Sequence, residues 1–318
     1  MNNLLVTGAT GFIGSHLLPY LQQQNLSIKI TTRQSSPQLP NHITSVKIDN
    51  IDETTDWTEA LQNIDCIIHL AARAHILKDE ATDPETEFYQ TNTAATTNLA
   101  KQAIEQGVKH FIFMSSIGAM TTLATKTLTE SSPCHPDTPY GRSKLQAEQN
   151  LKELCNNSTM TWTILRPPLI YGARNPGNME RLLKLVKTGL PLPFGGIKNC
   201  RSLLYVGNLV DALTHCITHP NARNQTFIIS DGEDLSTPAL VRQIGIAMGK
   251  EPTLIPIPPQ LLKLIAQPLG KGETIDRLAG SLRVDSSKIR TTLNWKPPFS
   301  VNQGLKNTVD WFCENQSK

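Results

Sequence analysis

Asn3-Leu-Leu-Val-Thr-Gly8-Ala-Thr-Gly11-Phe-Ile-Gly14 decides the fold. A short apolar run meets glycines three apart, after which Ile13, Leu17, Leu18 and Leu21 fall at helical spacing. This reads as a strand, a tight glycine turn and a helix. Glycines at such a junction let the backbone turn sharply and come close to a pyrophosphate, whose charge faces free N–H groups at the helix start. The spacing is a variant of the G-x-G-x-x-G dinucleotide fingerprint. Gly8, Gly11 and Gly14, with Phe12 and Ile13 between the last two, are the expected cofactor-binding turn.

Outward from this junction, strand-like runs recur at Ile28 to Thr32, Ile43 to Ile48, Cys66 to Leu70, Phe111 to Ser115 and Thr161 to Leu165, with helical or loop stretches between most of them. Alternation of this kind predicts an α/β fold, a doubly wound (Rossmann-type) parallel sheet with helices on both faces. After Arg166-Pro167-Pro168 the character changes. A stretch rich in glycine and proline runs from Gly172 to Gly196, and prolines 252, 256, 258 and 259 interrupt the chain further on. The expected division is a dinucleotide-binding domain over residues 1–166 and a smaller α+β, mainly substrate-binding part over 167–318, some segments of which return to the first domain. Helices are expected from about Gly207 to His219, from near Ser236 and from about Ser300 to Phe312.

Composition narrows the class. With 39% hydrophobic and 18% charged residues the chain of 318 residues can bury a core. Its formal charge of +3 is spread without a basic block, which gives no argument for nucleic acid. The six cysteines include no C-x-x-C pair, so buried free thiols in a reducing, cytoplasmic setting are expected. No charged side chain precedes Lys29, but the segment lacks a positive n-region and carries Gln22, Gln23 and Gln24, so it reads as mature fold. The most apolar later stretch, Leu261 to Leu269, contains Lys263 and Pro268 and is too short for a membrane span. Core packing is the expectation for it, with contact at a membrane surface as the alternative.

Two further positions carry chemistry. An acid at the end of the second strand would hold the 2′-hydroxyl of NAD, and Ile30-Thr31-Thr32-Arg33 has none. Arg33 instead offers a guanidinium fork to the 2′-phosphate of NADP, so NADP(H) is expected ahead of NAD(H). Tyr140-Gly-Arg-Ser-Lys144 follows Pro139 and opens a helical pattern, which puts Tyr140 and Lys144 on one face, a turn apart. A phenol titrates near 10 in isolation, so a neighbouring ammonium is what would make it an acid or base near neutrality. Met114-Ser115-Ser116 closes a strand predicted to be central, where doubly wound sheets bind ligands.

At this point the sequence resembles the extended short-chain dehydrogenase/reductases, the NAD(P)-dependent nucleotide-sugar epimerases, dehydratases and 4-keto reductases. The resemblance covers nearly the whole chain and rests on Val6 to Gly14, His69-Leu-Ala-Ala72, Asn92, Ser115-Ser116, Tyr140-x-x-x-Lys144, Leu165-Arg-Pro167 and Tyr171-Gly172. Arg201 to Asp211, Val284 to Lys288 and Leu293-Asn-Trp295 look like that family's substrate-domain segments. It implies that Tyr140 exchanges a proton with a sugar hydroxyl or keto oxygen, that Lys144 holds the nicotinamide ribose and lowers the phenol's pKa, and that Ser116, rather than Ser115, hydrogen-bonds the same oxygen. It further implies Asp49 as the adenine contact, Ala71, Ala72, Asn92 and Pro167 along the cofactor groove, and Arg201 with Asn178 on the substrate side. The missing acid after the second strand departs from the family's best-known epimerase pattern. Arg73 to Asp79 and Asp231 to Pro238 look most like a bacterial subgroup acting on UDP-activated amino sugars.

The resulting expectation is a nucleotide-sugar oxidoreductase working at C4, first as a 4-keto reductase for surface polysaccharide synthesis, second as a UDP-sugar 4-epimerase. A non-catalytic NADP-sensing regulator is the third reading, and a homodimer is what the resemblance implies. No metal is expected, since His215 and His219 have no third ligand nearby in sequence. His69, at the end of an apolar strand, is read as a core histidine, and Trp311-Phe312 as the packing face of the last helix.

Overall fold

Leu4, Leu5 and Val6 have no exposed surface at all, although side chains alternate between the two faces of a strand. Both faces of this strand are therefore covered, as in a parallel sheet between two helical layers. The computed structural model describes residues 1–24, 26–33, 43–74, 83–175, 177–270 and 272–315. Its main sheet contains β1 (Asn3–Thr7), β2 (Ser27–Thr32), β3 (Ile43–Lys47), β4 (Cys66–His69), β5 (His110–Met114), β6 (Thr161–Arg166) and, from later in the chain, β9 (Gln225–Ile228). The order is β3-β2-β1-β4-β5-β6-β9, and every neighbouring pair is parallel. The order reverses at β1, where doubly wound sheets open a crevice beyond their carboxyl ends.

Two apolar layers sandwich this sheet. Leu4, Val6 and Ile68 pack with Leu17 and Leu21 of the helix Phe12–Leu21 and with Leu209 and Leu213 of the helix Val206–Thr218. On the other face, Leu5, Ile67, Phe111 and Phe113 meet Leu99 of the helix Ala95–Glu105 and Ala147 and Leu151 of the helix Pro139–Asn156.

A second sheet of three strands holds β7 (Leu169–Tyr171), β8 (Arg201–Tyr205) and β10 (Asp234–Leu235), with β8 central. Its core joins Tyr171, Leu183, Leu203, Val241, Leu262, Leu305 and Phe312, so helices cover this smaller C-terminal part. Phe312 lies in that core, with Trp311 packed against it. Three segments beyond residue 167 pack on the first sheet: β9 beside β6, the helix Val206–Thr218, and Ile289 with Leu293 of the helix Ser287–Leu293. None of the helices among the described residues is long and apolar enough to cross a membrane.

Candidate active site

The glycine turn is shaped by close approach. Gly8 has φ +69°, in the left-handed region, and a Cβ there would stand 2.6 Å from the backbone nitrogen of Ala71. Gly14 fits so tightly that a Cβ would meet Ala9 at 2.5 Å, which presses the helix onto the loop. Gly11 is the N-cap of Phe12–Leu21 and brings no side-chain cap, nor is there an acid in the first turn. The first amides of that helix therefore point outward without a side-chain acceptor, a donor set that fits a pyrophosphate. The Phe12 ring turns towards Gly172, the residue that follows β7 of the second sheet.

The strand ends gather the other expected cofactor residues. Ala71 follows β4 and donates its N–H to Thr7 Oγ1 at 3.3 Å, beside Gly8. Ala72 lies next in that loop, half-buried. Arg33 is exposed just after β2, and the Ile48 N–H bonded to Thr32 O places Asp49 across from it. Asp49 is exposed and paired with Lys47 at 2.7 Å. Pro167 is buried after β6, and its carbonyl accepts from Ile117 N at 2.9 Å. Asn92 sits in a π-helical turn, Tyr89–Ala94, with its amide fully engaged: Oδ1 accepts from Arg73 N, and Nδ2 donates to Arg73 O and Ser143 Oγ. It shapes the loop that borders the groove rather than presenting a free amide to a ligand. Of the stretch from Arg73 to Asp79, residues 75–79 lie outside the described residues.

Ser116, Tyr140 and Lys144 meet above the ends of β4, β5 and β6. Ser116 caps a short 3-10 turn, and its Oγ accepts from Gly118 N at 3.0 Å. Tyr140 enters the helix Pro139–Asn156 at its first turn, where Thr138 Oγ1 accepts from Gly141 N at 3.1 Å. Two glycines that the sequence reading passed over make the meeting possible. Gly118 lies between Ser116 Oγ and the Tyr140 ring, and a Cβ on Gly141 would fall well inside contact distance of the Gly118 carbonyl. Glycine is a poor helix former, so its place beside Tyr140 was the available signal. Phe88 closes the far side, edge-on to Tyr140 at 6.0 Å between centroids.

Lys144 is buried, donates to Met114 O at 2.9 Å, and lies over the rings of Phe113 and Tyr140 at 4.7 and 6.0 Å. Burial pushes its ammonium down to about 7, against the charge of Glu148. Burial also pushes the Tyr140 phenol up to about 12, opposed by the Ser116 hydroxyl. The resemblance implies that Lys144 lowers the phenol; in the protein alone the ammonium donates to Met114 O and lies 6.0 Å from the Tyr140 ring centroid, and burial sets the direction of the phenol's shift. Ser115 turns the other way and donates to Glu148 Oε1 at 2.5 Å.

His69 is buried between Thr7 Oγ1 at 2.7 Å and Thr96 Oγ1 at 3.0 Å, and desolvation pushes it down to about 3, so it stays neutral. Arg201 opens β8 and donates from Nη1 to Arg277 O and Gly280 O at 2.8 and 3.1 Å. It makes no salt bridge to a carboxylate among the described residues, and burial lowers its pKa, which leaves a half-buried cation suited to an anion. Residues 280–284 connect it to the site: Ala124, in the chain that follows Ser116, donates to Ser281 O, and Arg201 bridges to Leu282. Asn178 is exposed at the start of the helix Asn178–Lys187 and is not drawn into this cluster by any hydrogen bond among the described residues. His215 bonds Asp211 O and His219 caps the turn Pro220–Ala222, and no group of three metal-ligating side chains occurs among the described residues.

The family model described as the NAD dependent epimerase/dehydratase family matches residues 4–230. A UDP-glucose 4-epimerase of Vibrio cholerae is 40% identical over 99% of this chain and 97% of its own length. The N-acetyl-alpha-D-glucosaminyl-diphospho-ditrans,octacis-undecaprenol 4-epimerase of Escherichia coli O157:H7 is 29% identical over 98% of this chain and 95% of its own. Among solved structures, a UDP-glucose 4-epimerase of Thermotoga maritima with UDP-glucose aligns over 99% of both chains, with a TM-score of 0.77 and 25% identity.

Proposed function

The chain belongs to the NAD dependent epimerase/dehydratase family, and from that premise we propose that it is a UDP-sugar 4-epimerase whose proton exchange rests on Ser116, Tyr140 and Lys144. The observation that carries the reading is the convergence of these three side chains beyond the carboxyl ends of β4 to β6, beside an uncapped glycine turn. The sequence alone put 4-keto reduction first. A relative named for 4-epimerisation that matches over nearly its full length turns that order round.

Bound NAD would supply the hydride acceptor and donor. The protein's share is to place and move a proton. Tyr140 Oη takes the proton of the sugar's C4 hydroxyl and returns it, while Ser116 Oγ donates a hydrogen bond to the same oxygen. Lys144 holds its ammonium against the ring and the Met114 carbonyl, where it favours the phenolate. The amides of Phe12 and Ile13, with Gly8, Gly11 and Gly14, receive the cofactor's pyrophosphate, and Asp49 lies on the adenine side. Arg201 serves the diphosphate of the sugar nucleotide, with Asn178 further out. In this scheme residues 1–166 hold the cofactor, and most of 167–318 holds the sugar.

One observation favours the second reading, an NADPH-using 4-keto reductase: Arg33 follows β2 where an acid would select NAD. The test is to denature freshly purified protein and identify the nucleotide released, then to offer UDP-glucose and UDP-N-acetylglucosamine without added cofactor. Near-stoichiometric NAD and interconversion of C4 epimers are expected. An empty protein that consumes NADPH only with a 4-keto sugar would replace epimerisation by reduction.

A further inference from the structure

The helix Pro139–Asn156 carries Tyr140, Lys144 and Glu148 at successive steps of four, and Glu148 has no part in the proton exchange just described. Glu148 is 0% exposed. Its Oε1 accepts from Ser115 Oγ at 2.5 Å and from Arg166 Nε at 2.9 Å, while Oε2 accepts from Arg166 Nη2 at 2.5 Å. Ser115 follows β5 and Arg166 ends β6, so one carboxylate joins the two strand ends to the helix that bears Tyr140. The link reaches the site from both sides. Ser115 is the residue before Ser116, and Lys144 is bonded to the carbonyl of Met114, the residue before Ser115.

An ion pair is a costly way to fill such a space, because desolvation of two charges commonly outweighs their attraction, and an apolar pair of equal volume would pack as well. What an apolar pair could not provide is a negative charge one helical turn from Lys144. We propose, on the reading of Tyr140 and Lys144 given above, that Glu148 with Arg166 is a positioning device that keeps Lys144 an ammonium and fixes Ser116 against Tyr140.

The surroundings leave that role to Glu148. Lys144 is faced by Tyr140 on its own helix and by His69 from β4, and neither brings a charge at neutral pH. Around the pair stand Lys152 on the same helix, Cys134 from the preceding loop and Lys288 from the helix Ser287–Leu293, none of them a carboxylate. Glu148 is the charge that opposes the pull of burial on Lys144.

The test reads Lys144 directly, by carbon NMR of the full chain labelled at lysine Cε, with the resonance assigned by its loss in Lys144→Arg. In Glu148→Gln the Lys144 midpoint is expected to fall by about one pH unit or more, and the alkaline limb of kcat falls with it. Ser115→Ala keeps the carboxylate, so the midpoint stays while kcat drops. Should Glu148→Gln fail to fold, Glu148→Gln with Arg166→Met removes both charges together, and the midpoint is expected to fall there too. An unchanged midpoint in the charge-removing variants overturns the electrostatic role, and an unchanged kcat in Ser115→Ala overturns the positioning of Ser116. Failure of the UDP-sugar reading shows differently, as absent turnover in the unaltered protein while the Lys144 titration still responds to Glu148.

Discussion

Burial moves Tyr140 and Lys144 in opposite directions away from the pKa that each has in water. The phenol is pushed up to about 12 and the ammonium down to about 7, both by burial. Removal of the phenol alone in Tyr140→Phe should lower kcat by about 10²–10⁴, the range of general acid–base catalysis, while cofactor release on denaturation stays as in the parent. A retained kcat would end the role given to Tyr140. Lys144 makes a second, opposite prediction about stability. Its folded pKa lies below its unfolded value, so between about 7 and 10.5 the unfolded chain binds more protons and stability rises with pH. Lys144→Met should therefore stabilise the protein at pH 7 by about 2 kcal/mol or more, even after loss of the bond to Met114 O, with the gain shrinking towards pH 10 and turnover lost. Chemical denaturation at pH 7 and pH 10 would check the sign. These two residues were legible in sequence because their partnership is local, four apart on one helix. Glu148 and Arg166 were not legible as a pair: each looks like an ordinary charged residue until β6 is laid beside β5.

At the scale of elements, the helix Pro139–Asn156 and the 3-10 turn after β5 must come together backbone to backbone. Gly118 and Gly141 permit that approach, and no side chain fits between them. Gly141→Ala places a methyl against a carbonyl that is fixed by its own turn, which overpacking makes worth about 1–3 kcal/mol. The expected result is a Tm lower by several degrees together with a reduced kcat, since the strain is relieved by moving Tyr140 away from Ser116. A Tm and kcat equal to the parent's would mean that the two elements are not held together. The same scale explains what the sequence did not disclose. The strands of residues 1–166 announced themselves as apolar runs, most of them set between helices. β7 and β10 are three and two residues long, too short for any periodicity. β9 reads Gln-Thr-Phe-Ile, and only its pairing with β6 makes it part of the first sheet.

For the molecule as a whole, the relation of the two sheets decides whether a sugar bound on one side meets a cofactor bound on the other. Asp231 sits in the chain between β9 of the first sheet and β10 of the second. Its Oδ2 accepts from Tyr171 Oη at 2.9 Å on β7, and its Oδ1 accepts from Asn208 Nδ2 at 2.7 Å on the helix that packs under the first sheet. The backbone N–H of Tyr205, at the end of β8, donates to the same carboxylate. Asn208 also exchanges hydrogen bonds with the backbone of Phe299, which brings in the entry to the last helix. One carboxylate thus collects donors from both parts of the fold, and burial raises its pKa against the pull of those donors. Loss of the acceptor strands the Tyr205 amide and leaves the buried Tyr171 hydroxyl only the longer bond to Val301 O at 3.4 Å, at about 1–3 kcal/mol for an unsatisfied group. Asp231→Ala should therefore melt several degrees lower. Because the hydrogen-bond partners of the Asp231 carboxylate are Tyr171, Tyr205 and Asn208 rather than residues of the glycine turn, NAD content on purification should hold while KM for the UDP-sugar rises more than kcat falls. Equal losses in NAD content and sugar affinity would place Asp231 in general stability, whereas the split would mark it as the joint that sets the sugar side against the cofactor side.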